Sequence, residues 1–193
     1  MFLLQKRLYV DMDGTLGVFT PVDKFETLYE RGFFANIAPL QNVVDAVRAI
    51  STKRPDIEVF CLSSYLADSK YALKEKNTWL DATLPELDAA HRIFVPCGFS
   101  KAEYLSYKVA GGVKPSDFLL DDYTRNLIQW VQAGGRGIKL LNGINNTRGT
   151  WFDARISSDT NPSRIVSDIC SIMLENVNML GNYVHHAQDG LSR

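Results

Sequence analysis

The sequence predicts an α/β protein in which helices cover both faces of a parallel sheet, a three-layer α/β/α arrangement. Short apolar runs alternate along the chain with amphipathic helical stretches, which is typical of strands joined by helical crossovers. The runs are apolar throughout rather than at every second residue, as expected of strands buried on both faces. The 193 residues suit a single domain, which we predict to span 1–193.

Five apolar runs are predicted as strands, and each ends close to polar residues. These strands are Arg7–Val10, Ile57–Leu62, Arg92–Val95, Asp117–Leu120 and Gly137–Leu141. Five stretches with apolar residues at helical spacing are predicted as helices. These helices are Val43–Ile50, Asp68–Leu84, Lys101–Val109, Arg125–Ala133 and Ile165–Leu180.

Residues 20–38 fall outside the regular alternation of strand and helix. They contain a short helical pattern, Asp23–Tyr29, followed by Gly32, Phe33 and Phe34. We therefore expect a very short insertion after the first strand, with the rest of the chain forming one sheet domain.

Composition excludes several classes of protein. Hydrophobic residues make up 46% of the chain, enough for a sizeable core, and 21 basic residues against 22 acidic ones leave a formal charge of −1. This balance gives no strong signal for nucleic-acid binding. No stretch is long and apolar enough to cross a membrane, and the first apolar run, residues 1–4, is too short for a secretion signal. With cysteines only at 61, 97 and 170, far apart, the predicted compartment is the cytoplasm.

Polar residues follow four of the predicted strands, at the points where those strands end. Because the carboxyl ends of parallel strands meet at one edge of a sheet, we expect these side chains to converge on one site. They are Asp11-Met12-Asp13-Gly14-Thr15 after the first strand, Ser63-Ser64 after the second, Lys101 after the third and Asp121-Asp122 after the fourth.

This set of residues suits phosphoryl transfer from a monoester. A carboxylate such as Asp11 can attack phosphorus and leave again, because it forms an acyl phosphate. Asp13, two residues on, can reach the leaving-group oxygen as the strand opens into a loop, and would serve as general acid and then general base. Carboxylates facing a phosphate need a hard divalent cation, and Mg²⁺ prefers oxygen ligands. A hydroxyl and a lysine, Ser63 and Lys101, would hold the remaining phosphate oxygens.

In order and spacing these residues resemble the motifs of the haloacid dehalogenase superfamily. Asp11 to Thr15 is similar to its first motif, the strand ending in Ser63 to its second, Lys101 to its third and Asp121-Asp122 to its fourth, so that the resemblance covers 7–141. Within the superfamily the chain most resembles the 5′(3′)-deoxyribonucleotidases. Their second motif also leads into a long helix with a Glu-Lys-x-x-Trp segment, here residues 75–79. The resemblance implies a Rossmann-like fold and phosphatase activity.

The resemblance also implies a role for each site residue. Asp11 would be the nucleophile and Asp13 the acid/base, while Asp11, the main-chain oxygen of Asp13 and Asp121 or Asp122 would hold Mg²⁺. The phosphate-binding and substrate-binding residues would be Met12, Ser63, Ser64, Lys101, Phe19, Phe33 and Phe34.

The chain departs from the nucleotidases at two points. The insertion at 20–38 is much shorter than their helical cap, and the gap from Lys101 to Asp121 is longer, which makes Lys114 a second candidate for the phosphate lysine. Lys76 is expected on the surface of its helix, and Trp79 in the core. The aromatic residues of the insertion could equally pack it onto the core.

Three functions remain open at this stage. The first is hydrolysis of a small phosphomonoester, such as a nucleoside monophosphate. The second is a phosphatase for a larger substrate, such as a nucleic-acid end or a phosphoprotein, because a short cap leaves the site open. The third is a phosphate-responsive regulatory domain without turnover. The presence of Asp13 favours a hydrolase over a stable phospho-switch, since hydrolysis needs a second acid/base.

Overall fold

The computed structural model describes residues 5–109, 111–145 and 149–174. All five predicted strands form, and a short sixth strand that the sequence pattern did not predict follows them. The strands are β1 Lys6–Val10, β2 Ile57–Tyr65, β3 Arg92–Pro96, β4 Asp117–Asp121, β5 Arg136–Leu141 and β6 Arg155–Ser157. The sixth strand, β6, has only three residues, too few for a recognisable pattern.

The strands form one parallel sheet in the order β3-β2-β1-β4-β5-β6. The chain moves from β1 towards one edge and then returns to pair β4 beside β1. The place where the order reverses therefore lies between β1 and β4, and the carboxyl ends of strands at such a point are where α/β sheets bind ligands.

Helices cover both faces of this sheet, as predicted. They are α1 Gln41–Lys53, α2 Ala72–Thr83, α3 Lys101–Lys108, α4 Thr124–Gln132 and α5, described over residues 162–174. The rest of the predicted last helix lies outside the described residues. Three-residue and five-residue 3-10 helices occur at Phe25–Tyr29, Phe34–Asn36 and Ala89–His91.

Two apolar cores separate the three layers. One lies between the sheet and α1, α2 and α5, where Val10, Val47 and Ile169 are fully buried. The other lies between the sheet and α3 and α4, where Tyr9 and Trp130 are fully buried. Burial on both faces explains why the strands are apolar throughout, and the predicted α/β class is confirmed.

The segment between Val18 and Ala38 stands outside the sheet, where the sequence predicts an insertion. Its ends are closed by two main-chain hydrogen bonds, from Val18 to Ala38 at 2.8 Å and from Leu40 to Leu16 at 2.8 Å. It forms 3-10 turns rather than an α-helix. We call residues 18–38 the short insertion.

Among the described residues, none of the helices combines the length and the apolar character that spanning a membrane requires.

Candidate active site

The register of the sheet brings Asp11 and Asp121 side by side. Val10 pairs with Leu120 across β1 and β4, and the Asp11 amide donates a hydrogen bond to the Leu120 carbonyl at 2.9 Å. Asp11 therefore leaves β1 at the level where β4 reaches Asp121. Both carboxyl groups are buried, so sequence positions far apart form one acidic centre.

Lys101 joins these two carboxylates. It is the first residue of α3, and Ser100 caps that helix, so that the side chain enters the site from beyond β3. Its Nζ lies 2.5 Å from Oδ1 of Asp11 and 2.7 Å from Oδ2 of Asp121, and only 2% of the residue is exposed. Burial lowers the pKa of Lys101, but the two carboxylates raise it by more, so the net shift is upward and the lysine stays charged.

The proton affinity of Asp11 is also raised, which for a carboxyl group favours the neutral form. Burial, and then the neighbouring carboxylates of Asp121, Asp13 and Asp122, raise its pKa to about 8, against the lowering effect of Lys101. Burial and Asp121 also raise the pKa of Asp122. A bound cation would reverse these shifts because it favours the ionised carboxylates.

A second buried lysine faces Asp13. Lys76 Nζ lies 2.5 Å from Oδ2 of Asp13 and 2.9 Å from Oγ of Ser63, and Lys76 is fully buried. The expectation that Lys76 lies on the helix surface is therefore wrong. The helix α2 directs it inward between the ends of β1 and β2, a placement that residue spacing along one helix does not specify. The sequence signal that points to this placement is the Glu-Lys-x-x-Trp segment, to which Lys76 belongs.

Asp122 is held by groups from three parts of the chain. Asn142 and Asn145 donate to its Oδ2 at 2.8 and 2.6 Å, and its own amide donates to Oγ1 of Thr15 at 3.1 Å. The Nζ of Lys139, fully buried in β5, donates to the Asp122 carbonyl. Thr15 belongs to the predicted first motif, but the site prediction missed Lys139, Asn142 and Asn145, although Asn142 directly follows a predicted strand and so lies at the same edge.

The acidic centre fits a divalent cation. Asp11, Asp121 and Asp122 are buried and each offers a carboxylate oxygen within 4.8 Å of the others. Adding Asp13, four carboxylates face the three ammoniums of Lys76, Lys101 and Lys139, which leaves excess negative charge. The Oδ1 atom of Asp13 is also buried without a hydrogen-bond partner. Oxygen ligands with excess negative charge are what Mg²⁺ requires.

The remaining predicted phosphate ligands take different positions. Ser64 lines the same cavity as Asp11 and Asp13. The side chain of Met12 is fully buried in the core, so any contact of Met12 with phosphate would come from its main chain. Lys114 precedes β4 and is exposed at the opposite edge of the sheet from Asp121, so of the two candidate phosphate lysines Lys101 is the one at the site.

The aromatic residues of the short insertion pack on one another. Phe33 contacts Phe19 and Phe34 edge to face, with ring centroids 6.1 and 5.0 Å apart. Phe34 is 4% exposed, and its ring lies 4.8 Å from Nζ of Lys76. These rings attach the insertion to α2, so that Phe34 covers the buried lysine.

Polar contacts from α2 also fix this insertion. The carboxylate of Glu75 accepts hydrogen bonds from the amides of Gly32 and Phe34 at 2.6 and 3.2 Å. Trp79 donates from Nε1 to the Ile37 carbonyl at 2.6 Å. Consecutive turns of one helix thus hold the insertion and present Lys76 to the site.

A parallel sheet with an Asp-x-Asp sequence after its first strand, an acidic pair after the fourth and buried lysines between them defines a phosphatase fold of the haloacid dehalogenase type. The model of the family described as 5′ nucleotidase, deoxy (Pyrimidine), cytosolic type C protein matches residues 20–153. The chain belongs to this family, and the expected relation to nucleotidases and phosphatases is confirmed. The matched range begins beyond Asp11 and Asp13.

Solved structures of low sequence identity share the fold. The D,D-heptose 1,7-bisphosphate phosphatase from Burkholderia thailandensis is 13% identical with a TM-score of 0.56, over 86% of this chain and 99% of that one. The D,D-heptose 1,7-bisphosphate phosphatase from B. bronchiseptica, complexed with magnesium and phosphate, is 16% identical with a TM-score of 0.59, over 86% of this chain and 98% of that one. No curated protein matches the chain significantly.

Proposed function

We propose that this protein is a magnesium-dependent phosphomonoester hydrolase that acts through a phosphorylated Asp11, with a nucleoside monophosphate as its substrate. The observation that carries the proposal is the convergence of Asp11, Asp13 and the buried Lys101 on one cavity at the reversal point of the sheet, with the buried Lys76 paired to Asp13 behind it. Membership of a nucleotidase family supports the reaction class and the substrate class.

In the first step a carboxylate oxygen of Asp11 attacks phosphorus. The ester P–O bond breaks, and Asp13 donates a proton to the departing alcohol oxygen. In the second step Asp13 takes a proton from water as the water oxygen attacks phosphorus. The bond from phosphorus to Asp11 then breaks, and inorganic phosphate leaves. One carboxyl group thus carries the phosphoryl group while the other moves the proton.

The two lysines have different tasks in this proposal. Lys76 reaches Ser63 and Asp13, so its ammonium and the Ser63 hydroxyl would hold the phosphate oxygens. Lys101 pairs with Asp11 and Asp121 and would keep the nucleophile oriented and ionised. Ser64 would add a further hydrogen bond from the cavity wall.

Asp11, the main-chain oxygen of Asp13 and one of Asp121 and Asp122 would hold Mg²⁺. When bound, the cation supplies positive charge beside the phosphate and lowers the pKa of the acidic cluster. Both oxygens of Asp121 already accept hydrogen bonds, from Tyr123 and from Lys101 and Asn126, whereas protein donors to Asp122 converge on its Oδ2. Among the described residues, this leaves Oδ1 of Asp122 as the better placed oxygen for a direct or water-mediated contact.

We also propose that residues 1–193 form a single domain and that the protein is located in the cytoplasm. The family is a cytosolic type of nucleotidase, which supports the location. The short insertion covers less of the site than a full helical cap would, which supports the larger-substrate alternative.

The decisive experiment measures phosphate release with Mg²⁺ from a panel of phosphomonoesters. The panel contains 5′- and 3′-deoxynucleotides, ribonucleotides, sugar phosphates and a phosphorylated DNA end. The Asp11→Asn variant and a matched surface variant, Asp23→Asn, are run beside the wild type. We expect release from deoxynucleotides by the wild type and by Asp23→Asn, and a loss of at least about a thousandfold in Asp11→Asn. Release only from polymer ends would favour the larger substrate, and no release from any ester would favour the regulatory domain.

A further inference from the structure

The cavity that contains Asp11 and Asp13 opens away from the short insertion. It has a volume of about 320 Å³ and extends to the β3–α3 loop and the start of α4, where its wall includes Phe99, Tyr123 and Arg125. Among the described residues, none from the short insertion lines this cavity. A substrate whose phosphate reaches Asp11 through this opening would therefore place its leaving group against these three residues.

Two exposed aromatic rings border the opening. Phe99 is 55% exposed and Tyr123 is 50% exposed, whereas Phe34 of the insertion is 4% exposed. Large rings left open beside a polar cavity are available for stacking on a planar group. In the insertion, Phe19, Phe33 and Phe34 pack on one another, and the exposed Phe25 does not line the cavity. The available stacking surface thus lies on the side opposite the insertion.

The chain segments that carry both rings are held close to the acidic centre. The Tyr123 amide donates to Oδ1 of Asp121 at 2.7 Å, which sets the path of the chain two residues beyond that carboxylate. Phe99 stands two residues before Lys101 and contacts Tyr104 of α3, with ring centroids 6.4 Å apart. Each ring is therefore attached to an element that also supplies a charged group to the site.

Arg125 adds a cation at the outer end of this wall. It lies in the first turn of α4, beside Asn126, which donates to Asp121 at 2.9 Å. Arg125 is exposed, and no carboxylate among the described residues forms an ion pair with it. A guanidinium in this position suits a phosphate, since it can donate two parallel hydrogen bonds.

We infer that Phe99, Tyr123 and Arg125 form the leaving-group subsite, and that it selects a nucleotide carrying a second phosphate beyond the one removed. The inference rests on the proposed function and refines its substrate class. The base would stack on Phe99 and Tyr123, and the second phosphate would contact Arg125. A nucleoside bisphosphate and the phosphorylated end of an oligonucleotide share this chemistry.

The test compares substrates that contain these groups in turn. Steady-state kinetics with Mg²⁺ would use glycerol 2-phosphate, thymidine 5′-monophosphate, thymidine 3′,5′-bisphosphate and a 5′-phosphorylated thymidine dinucleotide. The variants are Phe99→Ala, Tyr123→Ala and Arg125→Gln. Their matched controls on the short insertion are Phe25→Ala and Arg31→Gln, both at exposed positions.

We expect each aromatic variant to lower kcat/KM for thymidine 5′-monophosphate, relative to glycerol 2-phosphate, by about tenfold, mainly through KM. We expect Arg125→Gln to lower kcat/KM for the bisphosphate or the dinucleotide, relative to the monophosphate, by about tenfold. The substrate, bisphosphate or dinucleotide, whose kcat/KM falls more in Arg125→Gln identifies the source of the second phosphate. Equal effects on all substrates, or equal effects in the controls, would overturn the subsite.

A binding measurement separates this inference from the proposed function. Calorimetric titrations with Mg²⁺ in excess would measure the binding of thymidine 3′,5′-bisphosphate to the wild type, Tyr123→Ala and Arg125→Gln. If the ligand is hydrolysed within the time of one injection, the same titrations would be made in the Asp11→Asn background. If the wild type shows no turnover and the variants bind the bisphosphate more weakly than it does, the subsite is supported and the hydrolase is refuted. If the wild type turns over its substrates and Phe99→Ala, Tyr123→Ala and Arg125→Gln do so at the same rates, the hydrolase is supported and the subsite is refuted.

Discussion

The ammonium of Lys76 lies 2.5 Å from Oδ2 of Asp13, although 63 residues separate the two in the sequence. The same ammonium reaches Oγ of Ser63, so one buried cation joins the ends of β1 and β2. Phe34 covers it from the side of the short insertion. The insertion, the proposed general acid Asp13 and the proposed phosphate ligand Ser63 therefore meet at a single side chain.

Replacing Lys76 by methionine removes this cation and keeps most of the side-chain volume. We expect Lys76→Met to lower kcat/KM for a phosphomonoester by about a hundredfold or more, because the phosphate loses a preorganised positive partner. The measurement is steady-state phosphate release, with circular dichroism to verify folding. Lys74→Met, at an exposed position on the same helix, should retain wild-type rates. Wild-type rates in Lys76→Met would show that the lysine is structural only.

The carboxylate of Glu75 holds the short insertion through the amides of Gly32 and Phe34. In Glu75→Ala both amides lose their acceptor, at a cost of about 1–3 kcal/mol to the local fold. Hydrogen exchange followed by mass spectrometry should show faster exchange confined to peptides of the insertion. Glu26→Ala, which changes an exposed carboxylate of the insertion itself, should leave exchange unaltered. Uniform acceleration across the whole chain would instead indicate a global loss of stability.

Gly14 allows Asp122 to approach the loop after β1. Its φ is +81°, and a Cβ placed on it would lie 2.3 Å from Oδ2 of Asp122. Gly14→Ala should therefore displace Asp122, weaken Mg²⁺ binding and lower the melting temperature by several degrees. Gly134→Ala is the control, because its φ is +97° but nothing lies within 4 Å of the added Cβ, so it carries only the backbone strain. A difference between the two variants in Mg²⁺ titrations measures the clash, and equal behaviour would refute it.

Without a cation, the acidic cluster should make the stability of the protein depend on pH. Burial and neighbouring carboxylates raise the pKa of Asp11 to about 8, so the folded protein holds a proton that the unfolded chain releases near pH 4. Between these values the unfolded chain binds fewer protons, so the free energy of unfolding falls as pH rises from about 4 to 8. Denaturant titrations in a chelator at pH 5 and pH 8 should show this decrease.

Asp11→Asn is the matched variant for this pH dependence. Asparagine does not titrate, so most of the decrease between pH 5 and pH 8 should disappear. If the variant keeps the wild-type slope, the pH dependence originates elsewhere, and Asp122, whose pKa is also raised, becomes the next position to change.

Metal removal should affect both activity and stability. A chelator is expected to stop phosphate release, and Mg²⁺ in excess should restore it. Because the cation binds only the folded protein, Mg²⁺ at about 100 times its dissociation constant should add about 2.7 kcal/mol to the free energy of unfolding. Calorimetric melting with and without Mg²⁺ measures this gain. Asp122→Asn should reduce it, and Asp153→Asn, exposed and distant in sequence from the acidic pair, should not. Full turnover in chelator would exclude the proposed cation.

Much of the architecture and part of the site follow from local pattern. Continuous apolar runs separated by amphipathic helices predict a parallel sheet, because only strands covered on both faces lack polar alternation. The direction of parallel strands then places Asp11, Ser63, Lys101 and Asp121 at one edge, whatever the details of packing. Strand β6 escaped prediction because three residues, of which only Ile156 is buried, carry too little periodic signal.

Tertiary structure alone decided which side chains meet at that edge and which way the site opens. The burial of Lys76 depends on the position of α2 beside the ends of β1 and β2, and the support of Asp122 by Asn142 and Asn145 depends on the path of the chain after β5. The cavity reaches Phe99 and Tyr123 because the β3–α3 loop and the start of α4 lie beside Asp11 in the folded chain. Residue type and spacing determine which residues lie at the edge of the sheet. Contacts between distant segments depend on packing geometry, about which local periodicity contains no information.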